Sequence, residues 1–153
     1  DYLKKGDELV MIGPFGEFYL RESDRDILLI GTGSGLAPML SILYQLEEEH
    51  IKRNTRLFFG GRTTRDLYYI EAIKELEEKM PHFTFVPTLS RTTEEENWQG
   101  EKGRVTGLIE KFVPEGAHTD AYLCGSPAMV ESCIDSLKKK GIPDEKIFCD
   151  KFE

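Results

Sequence analysis

The chain alternates short apolar runs with stretches in which apolar residues return every three or four positions. Ile27 to Ile30 is unbroken apolar, the pattern of a strand covered on both faces. Met39, Leu40, Leu43 and Leu46 follow at helical spacing and predict a helix over Met39 to Glu49. The succession then repeats. Strands are expected at Arg56 to Phe59, Phe83 to Pro87, Ala121 to Cys124 and Ile147 to Cys149. Helices are expected at Leu67 to Lys79, where Ile70, Ile73 and Leu76 share a face, at Val105 to Phe112 and at Ala128 to Lys140. Regular alternation of this kind predicts an α/β fold, a doubly wound parallel sheet of about five strands with helices on both faces. The polar, glycine-containing segment Arg91 to Gly103 reads as an exposed loop.

Residues 1–25 break the alternation. The stretch GDELVMIGPFGEFYL reads as two short strands around Gly13, Pro14, Phe15 and Gly16, with Phe15, Phe18 and Leu20 alternating against polar neighbours. The piece is too small for a core of its own. The expected division is therefore a β remnant of a preceding domain over 1–25 and the α/β domain over 26–153. A start at Asp1 rather than Met fits a fragment or a processed form.

Length and charge narrow the classes. The 153 residues suffice for one α/β domain with a real core. Acidic side chains outnumber basic ones by 28 to 20, giving a net charge of −8, which argues against a sequence-independent nucleic-acid binder. No apolar run reaches the roughly 18 to 20 residues of a membrane span, and no signal peptide is evident. Cys124, Cys133 and Cys149 are an odd number without C-x-x-C spacing. They predict reduced thiols in a cytoplasmic setting, with no metal site in this chain.

The glycines Gly31, Gly33 and Gly35 follow the first strand, and Pro38 stands where the next helix should begin. Glycine lets the backbone approach a ligand, and a helix N-terminus offers free N–H groups to a phosphate. A proline in the first helical turn costs nothing, because its missing N–H would be unpaired there. The spacing is not G-x-G-x-x-G, since Leu36 holds the third glycine's place, and Gly60-Gly61-Arg62, without an acid, ends the second strand. Neither a Walker A loop nor a serine-hydrolase elbow fits. Taken alone, the turn is also compatible with a tight strand–helix connection that binds nothing. The other strand ends decide for a ligand: Gly60-Gly61-Arg62, Thr88-Leu89-Ser90-Arg91 and Cys124-Gly125-Ser126-Pro127 are small, polar or basic, and in a doubly wound sheet they share the ligand-binding edge.

Four ordered motifs carry a resemblance. GTGSGLAPM, FFGGRTTRDLYYIEAIKEL, YLCGSPAMVESCIDSLKKKGI and an aromatic beside the C-terminus resemble the ferredoxin–NADP reductase superfamily over residues 26–153. The segments GPFGEFYL and ENWQGEKGRVTGLI point the same way, toward the reductase components of oxygenases and the flavoprotein subunit of sodium-translocating NADH:quinone reductase. The resemblance implies an NAD(P)H-dependent flavin oxidoreductase in which hydride passes to FAD and electrons continue to an iron–sulfur centre, a quinone or a partner protein. FAD would be held mainly by a preceding flavin-binding barrel, of which GPFGEFYL is the last strand, because no R-x-Y-S/T segment is present. Further partners implied are a [2Fe–2S] module or an electron-acceptor protein; membrane contact would come only through other parts or subunits.

The resemblance also implies residue roles. Gly31, Thr32, Gly33, Ser34, Gly35 and Pro38 match the pyrophosphate turn, with Thr32 close to the nicotinamide. Cys124 matches a residue packing beside the nicotinamide, Gly125, Ser126, Pro127 and Met129 close the site, and Phe152 matches an aromatic lying on the flavin. Gly61, Arg62, Ser90 and Arg91 complete the expected cofactor-binding set. Arg62, Arg65, Ser90 and Arg91 are the candidates for a 2′-phosphate, yet the overall match favours NAD(H) over NADP(H). Blander readings stand beside these: Cys124 as a core residue, Arg62 and Arg65 as surface charges, Trp98 as a cover for its own loop, and Glu94, Glu95 and Glu96 as a solvated face. Tyr68 and Tyr69 begin a helix, with one of them in the core. A cysteine hydrolase needs a nearby His, and His118 stands six residues before Cys124, about 20 Å along an extended strand. A nucleotide-binding regulatory domain without turnover is the alternative function.

Overall fold

The computed structural model describes residues 3–13, 16–93 and 97–151; the expectations placed on Phe15, on Glu94, Glu95 and Glu96, and on Phe152 lie outside them. Six strands form one parallel sheet: β1 (Asp26–Thr32), β2 (Thr55–Gly61), β3 (Phe83–Leu89), β4 (Glu101–Lys102), β5 (Thr119–Gly125) and β6 (Ile147–Lys151). Their spatial order is β4-β3-β2-β1-β5-β6. The helices are α1 (Leu36–Glu48), α2 (Ile70–Lys79), α3 (Val105–Phe112) and α4 (Pro127–Lys139).

The chain winds outward from β1 through β2 and β3, then returns to β5 on the other side of β1. A crossover of fixed hand lays its helix on the face set by its direction of travel, so this reversal puts helices on both faces. Leu29, Leu57, Phe59 and Tyr122 pack with Met39 and Leu43 of α1 and Ile73 of α2. Leu28, Ile30, Phe58 and Leu123 pack with Leu108 and Ile109 of α3 and Val130 and Leu137 of α4. The unbroken apolar run of β1 is thus one strand feeding two cores with alternate side chains.

Four local differences from the sequence expectation have physical reasons. The sheet has a sixth strand, β4, whose two polar residues pair with Thr88 and Leu89 and give no hydrophobic signal. Trp98 fixes it by donating its indole N–H to the Glu101 carbonyl (2.8 Å), with its ring against Gly100, so it covers its own loop. Helix α1 begins at Leu36, three residues early, because a 3-10 turn over Gly33–Gly35 runs straight into it. Pro38 then lies within the first helical turn, still at a position whose N–H needs no partner. Helix α2 begins only at Ile70: Tyr69 has φ +57° and caps it, and both Tyr68 and Tyr69 are exposed rather than in the core.

The fourth difference is at the N-terminus. No strand forms among the described residues of 1–25; a strand needs a hydrogen-bonded neighbour, and Leu9, Val10, Met11 and Ile12 have none and are exposed. Residues 17–25, by contrast, pack against the α/β unit. Phe18 and Leu20 join the α1–α2 core, with the Phe18 ring edge-on to Tyr122 at 5.9 Å. The Arg21 N–H donates to the Tyr122 hydroxyl (2.9 Å). Arg53 donates to the carbonyls of Arg21 and Arg25 and to the Asp120 carboxylate (2.8 Å), and Arg25 pairs with Asp120 at 3.2 Å. Among the described residues, no helix is long and apolar enough to cross a membrane.

Candidate functional site

A crevice opens where the winding direction reverses, beyond the ends of β1 and β5. It leads into a cleft of about 1020 Å³ whose lining includes Thr32, Gly33 and Ser34 after β1, Gly61 and Arg62 after β2, and Ser90 and Arg91 after β3. Ser126, Pro127 and Met129 after β5 line the opposite wall. Ten of the residues expected from the sequence therefore meet in one place. Arg65 is not among the lining residues, and Phe152 lies outside the described part of the chain.

The glycines do different jobs. A Cβ on Gly35 would stand 2.1 Å from the carbonyl oxygen of Cys124, and one on Gly31 would stand 3.0 Å from the Gly35 carbonyl oxygen. These two residues let the start of α1 lie directly on the end of β5, behind the cleft wall. Gly33 has φ +53° and nothing within 4 Å of its β position, so it leaves the wall bare toward the cleft. Gly60 and Gly125 flank Thr32: a Cβ on Gly60 would meet Val105 Cγ1 at 2.6 Å, and one on Gly125 would meet Met129 Cε at 2.3 Å and Thr32 Oγ1 at 2.5 Å. Gly31, Gly35, Pro38, Cys124 and Gly125 thus shape the site from behind and do not line the cleft.

The electrostatics are local. Although the whole chain carries −8, the lining holds, among the described residues, three guanidinium groups, Arg62, Arg91 and Arg104, against one carboxylate, Asp66. The starts of the α1 segment, α3 and α4 also face the cleft, through Gly33 and Ser34, Arg104 and Thr106, and Ser126 and Pro127. Helix starts add partial positive charge, so the cleft attracts an anion.

Arg104, Thr106 and Asp66 are site residues that sequence reasoning missed. Asp66, four residues beyond Arg62, folds back toward the tip of β2. Its Oδ2 accepts the N–H groups of Arg62 (2.9 Å) and Thr63 (2.8 Å), and a capping box at Thr63 closes the turn. The Thr63 N–H above all, with help from Arg62, holds this carboxyl below the ordinary carboxylate range. The T-T-R-D spacing after Arg62 was the signal that could have found it.

Cys124 is buried in the layer beneath α1, opposite Gly31 in the β1–β5 register. Burial, reinforced by the Asp150 carboxylate, pushes its thiol up to about 11, so it is protonated at neutral pH. His118 stands at the far end of β5, beside Asp24 (3.3 Å) and Arg25 (3.0 Å). A Cys–His hydrolase pair therefore does not exist here, since the nucleophile needs an adjacent base or a lowered pKa.

The comparisons agree with this geometry. Residues 29–135 match the model of the family described as Oxidoreductase NAD-binding domain. The chain is similar to a subunit of the Na(+)-translocating NADH-quinone reductase of Neisseria gonorrhoeae, with 36% identity over 98% of this chain and 38% of the relative. It is similar to the reductase component of propane 2-monooxygenase from Rhodococcus jostii, with 35% identity over 99% of this chain and 42% of the relative. This chain thus spans about two fifths of these curated relatives. Among solved structures, the Amycolatopsis cytochrome P450 reductase GcoB superposes with a TM-score of 0.82 at 33% identity, covering 92% of this chain and 42% of that one. A ferredoxin reductase of carbazole 1,9a-dioxygenase gives 0.80 at 30% identity, covering 92% of this chain and 41% of that one. The switch-point cleft, the split roles of its glycines and the family match lead to one conclusion: this chain belongs to the oxidoreductase NAD-binding domain family, with the ferredoxin reductase-like fold.

Proposed function

We propose that the chain is the NADH-binding part of a flavin-dependent oxidoreductase and presents the nicotinamide for hydride transfer. The observation that carries this reading is the bare backbone at Gly33, set in a locally basic cleft at the start of α1. A pyrophosphate lying there would meet free N–H groups and no side chain. Adenosine would extend toward the ends of β2 and β3, and nicotinamide toward Thr32 and the β5 end, where Met129 closes the wall.

NADH is favoured over NADPH by Asp66. Its carboxylate lines the same part of the cleft as Arg62, Ser90 and Arg91 and is fixed in its ionised form. A 2′-phosphate brought there would meet that charge, whereas a ribose hydroxyl could donate to it. Arg62 and Arg91 pull the other way, so the preference is set by the balance of these charges against Asp66.

A bound FAD would supply an acceptor for the nicotinamide hydride and a one-electron outlet. This chain lacks the R-x-Y-S/T segment expected to hold it, so we assign FAD to a flavin domain elsewhere in the protein, of which residues 1–25 are the remnant. Cys124 would contribute as a neutral, buried group behind the β1–β5 crevice, and Phe152 would cover the flavin. The electrons would go to an iron–sulfur centre, a quinone or a partner protein, on the cytoplasmic side of the cell. A regulatory nucleotide-binding domain without turnover is less consistent with relatives named as reductases.

The test is NADH and NADPH titration of the full-length protein, followed by stopped-flow observation of flavin bleaching. Binding of NADH and bleaching within the turnover time support the reading. Tight nucleotide binding with no flavin reduction would establish the regulatory alternative, and absence of nucleotide binding would end both.

A further inference from the structure

The Tyr68 hydroxyl lies 2.6 Å from the carbonyl oxygen of Gly33 and donates to it. The same oxygen accepts the N–H of Leu36, which closes the 3-10 turn leading into α1. In a trans peptide the C=O and the following N–H point in opposite directions. Holding the Gly33 carbonyl toward Tyr68 therefore holds the Ser34 N–H on the opposite side. Ser34 lines the cleft, and Tyr68 does not.

This peptide has an alternative orientation. A flip changes ψ of Gly33 and φ of Ser34 together, and Gly33, which has no Cβ, does not resist its share of that rotation. A flip of the Gly33–Ser34 peptide would turn a carbonyl oxygen toward the cleft and a donor away from it. An anion would then meet partial negative charge where the open orientation offers a hydrogen bond. The Leu36 N–H and the Tyr68 hydroxyl both oppose that flip, and Tyr68 comes from a different segment of the chain.

Tyr68 is itself held in place. Its ring meets Phe59 edge-on at 5.5 Å and Tyr69 at 5.9 Å. Tyr69 takes a left-handed backbone conformation that bulky residues rarely adopt, and α2 starts directly after it. Desolvation and the neighbouring Tyr69 keep the Tyr68 hydroxyl above its ordinary pKa, so it remains a donor across the neutral range.

We propose that Tyr68 is a positioning residue that locks the Gly33–Ser34 peptide with its N–H open to the pyrophosphate of a dinucleotide. The proposal rests on the reading of the cleft as a nucleotide site. Removing the lock divides the protein between open and flipped forms, and apparent affinity falls by the fraction that stays open.

The variant is Tyr68→Phe, which keeps the ring contacts and removes one oxygen. Two probes are titrated into full-length wild type and variant. ADP-ribose carries the pyrophosphate; 1-benzyl-1,4-dihydronicotinamide is a hydride donor without one. The variant should bind ADP-ribose more weakly, by up to about fivefold, the ceiling that one neutral hydrogen bond sets on the population shift. KM for NADH should rise by the same factor with kcat within twofold of wild type, and the rate with the benzyl compound should not change. Hydrogen exchange at the Leu36 amide should quicken, because its acceptor is no longer pinned. Equal ADP-ribose affinity in the two proteins overturns the proposal. An equal loss with both hydride donors also overturns it, because a general loosening would not single out the pyrophosphate. Failure of wild type to bind ADP-ribose removes the nucleotide reading, and this proposal with it.

Discussion

Gly33 and Gly35 sit two residues apart in one motif, yet substitutions at them should fail for different reasons. A Cβ on Gly35 would stand 2.1 Å from the Cys124 carbonyl oxygen, 2.6 Å from its carbon and 3.1 Å from the Gly125 nitrogen. All three are backbone atoms, so no side chain can swing aside. Reaching an ordinary contact of 3.4 Å means moving the start of α1 or the end of β5 by about 1.3 Å. Overpacking of that kind costs roughly 1 to 3 kcal/mol, and a backbone obstacle puts Gly35→Ala at the upper end. For a chain of this size each kcal/mol moves Tm by roughly 2 to 4 °C, so a loss of about 6 °C or more is expected. Gly33→Asp is the opposite case. Asp tolerates φ near +53° better than most residues, and the space is open, so the folding cost should stay below about 1 kcal/mol. Its carboxylate would stand where the pyrophosphate is proposed, and affinity for ADP-ribose should fall at least tenfold, with partial recovery at high salt. Denaturant unfolding and calorimetric titration of both variants give the two numbers directly. A Gly35→Ala protein as stable as wild type, or a Gly33→Asp protein that binds ADP-ribose normally, would refute the division of labour.

Asp66→Ala should reduce the preference for NADH by raising NADPH affinity roughly tenfold or more, the scale of a charge-assisted contact near 1.5 kcal/mol; unchanged kcat/KM ratios for the two nucleotides would show that Arg62 and Arg91 set the choice alone. Cys124→Ala in the full-length protein should slow flavin reduction more than it weakens nucleotide binding, and stopped-flow rates equal to wild type would leave Cys124 a packing residue. Asp120→Asn should cost about 3 kcal/mol, because it strands Arg25 and Arg53, and should expose residues 17–25 to limited proteolysis; resistance equal to wild type would separate that segment from the ion pairs. Burial raises the Cys133 thiol from 9.0 to about 12. The unfolded thiol ionises first, so its contribution is complete below pH 9 and is lost as pH rises toward 12, at about 1.4 kcal/mol per unit. Unfolding of wild type and Cys133→Ala from pH 7.5 to 10 should show the steeper fall in wild type alone.

The fold was legible because β1, β2 and β5 are buried on both faces and their continuous apolar runs admit no other placement. Strand β4 was not legible: Glu101 and Lys102 pair by backbone alone, and pairing of that kind leaves no trace in side-chain hydrophobicity. At residues 17–25 the pattern is ambiguous for a related reason. Alternation at Phe18 and Leu20 records that one side is buried, but not whether the cover is a neighbouring strand or, as here, the α1–α2 core. The site was legible wherever its residues follow a strand directly. Asp66 escaped because its carboxylate reaches back across a turn to Arg62. The Tyr68–Gly33 bond escaped because it depends on a left-handed tyrosine that no propensity favours. The separate roles of the three glycines needed coordinates, since one letter stands both for space that must stay open and for space already filled.

The strand order carries a consequence for how the cleft comes into being. Strand β1 is central: Ile27 pairs with Thr55, but Asp26 pairs with Thr119. One flank of β1 can therefore zip early from near neighbours in sequence, while the other stays an open edge until the chain has been made past β5. Closing that second flank spans a long loop, and such contacts form late. The crevice between β1 and β5 thus assembles later than the β1–β2–β3 half of the sheet. A ribosome-bound chain ending before Thr119 would carry the whole glycine turn and the start of α1, yet have no second wall for a nucleotide to enter. Until then β1 shows a bare ladder of donors and acceptors, the kind of edge on which strands from other chains add.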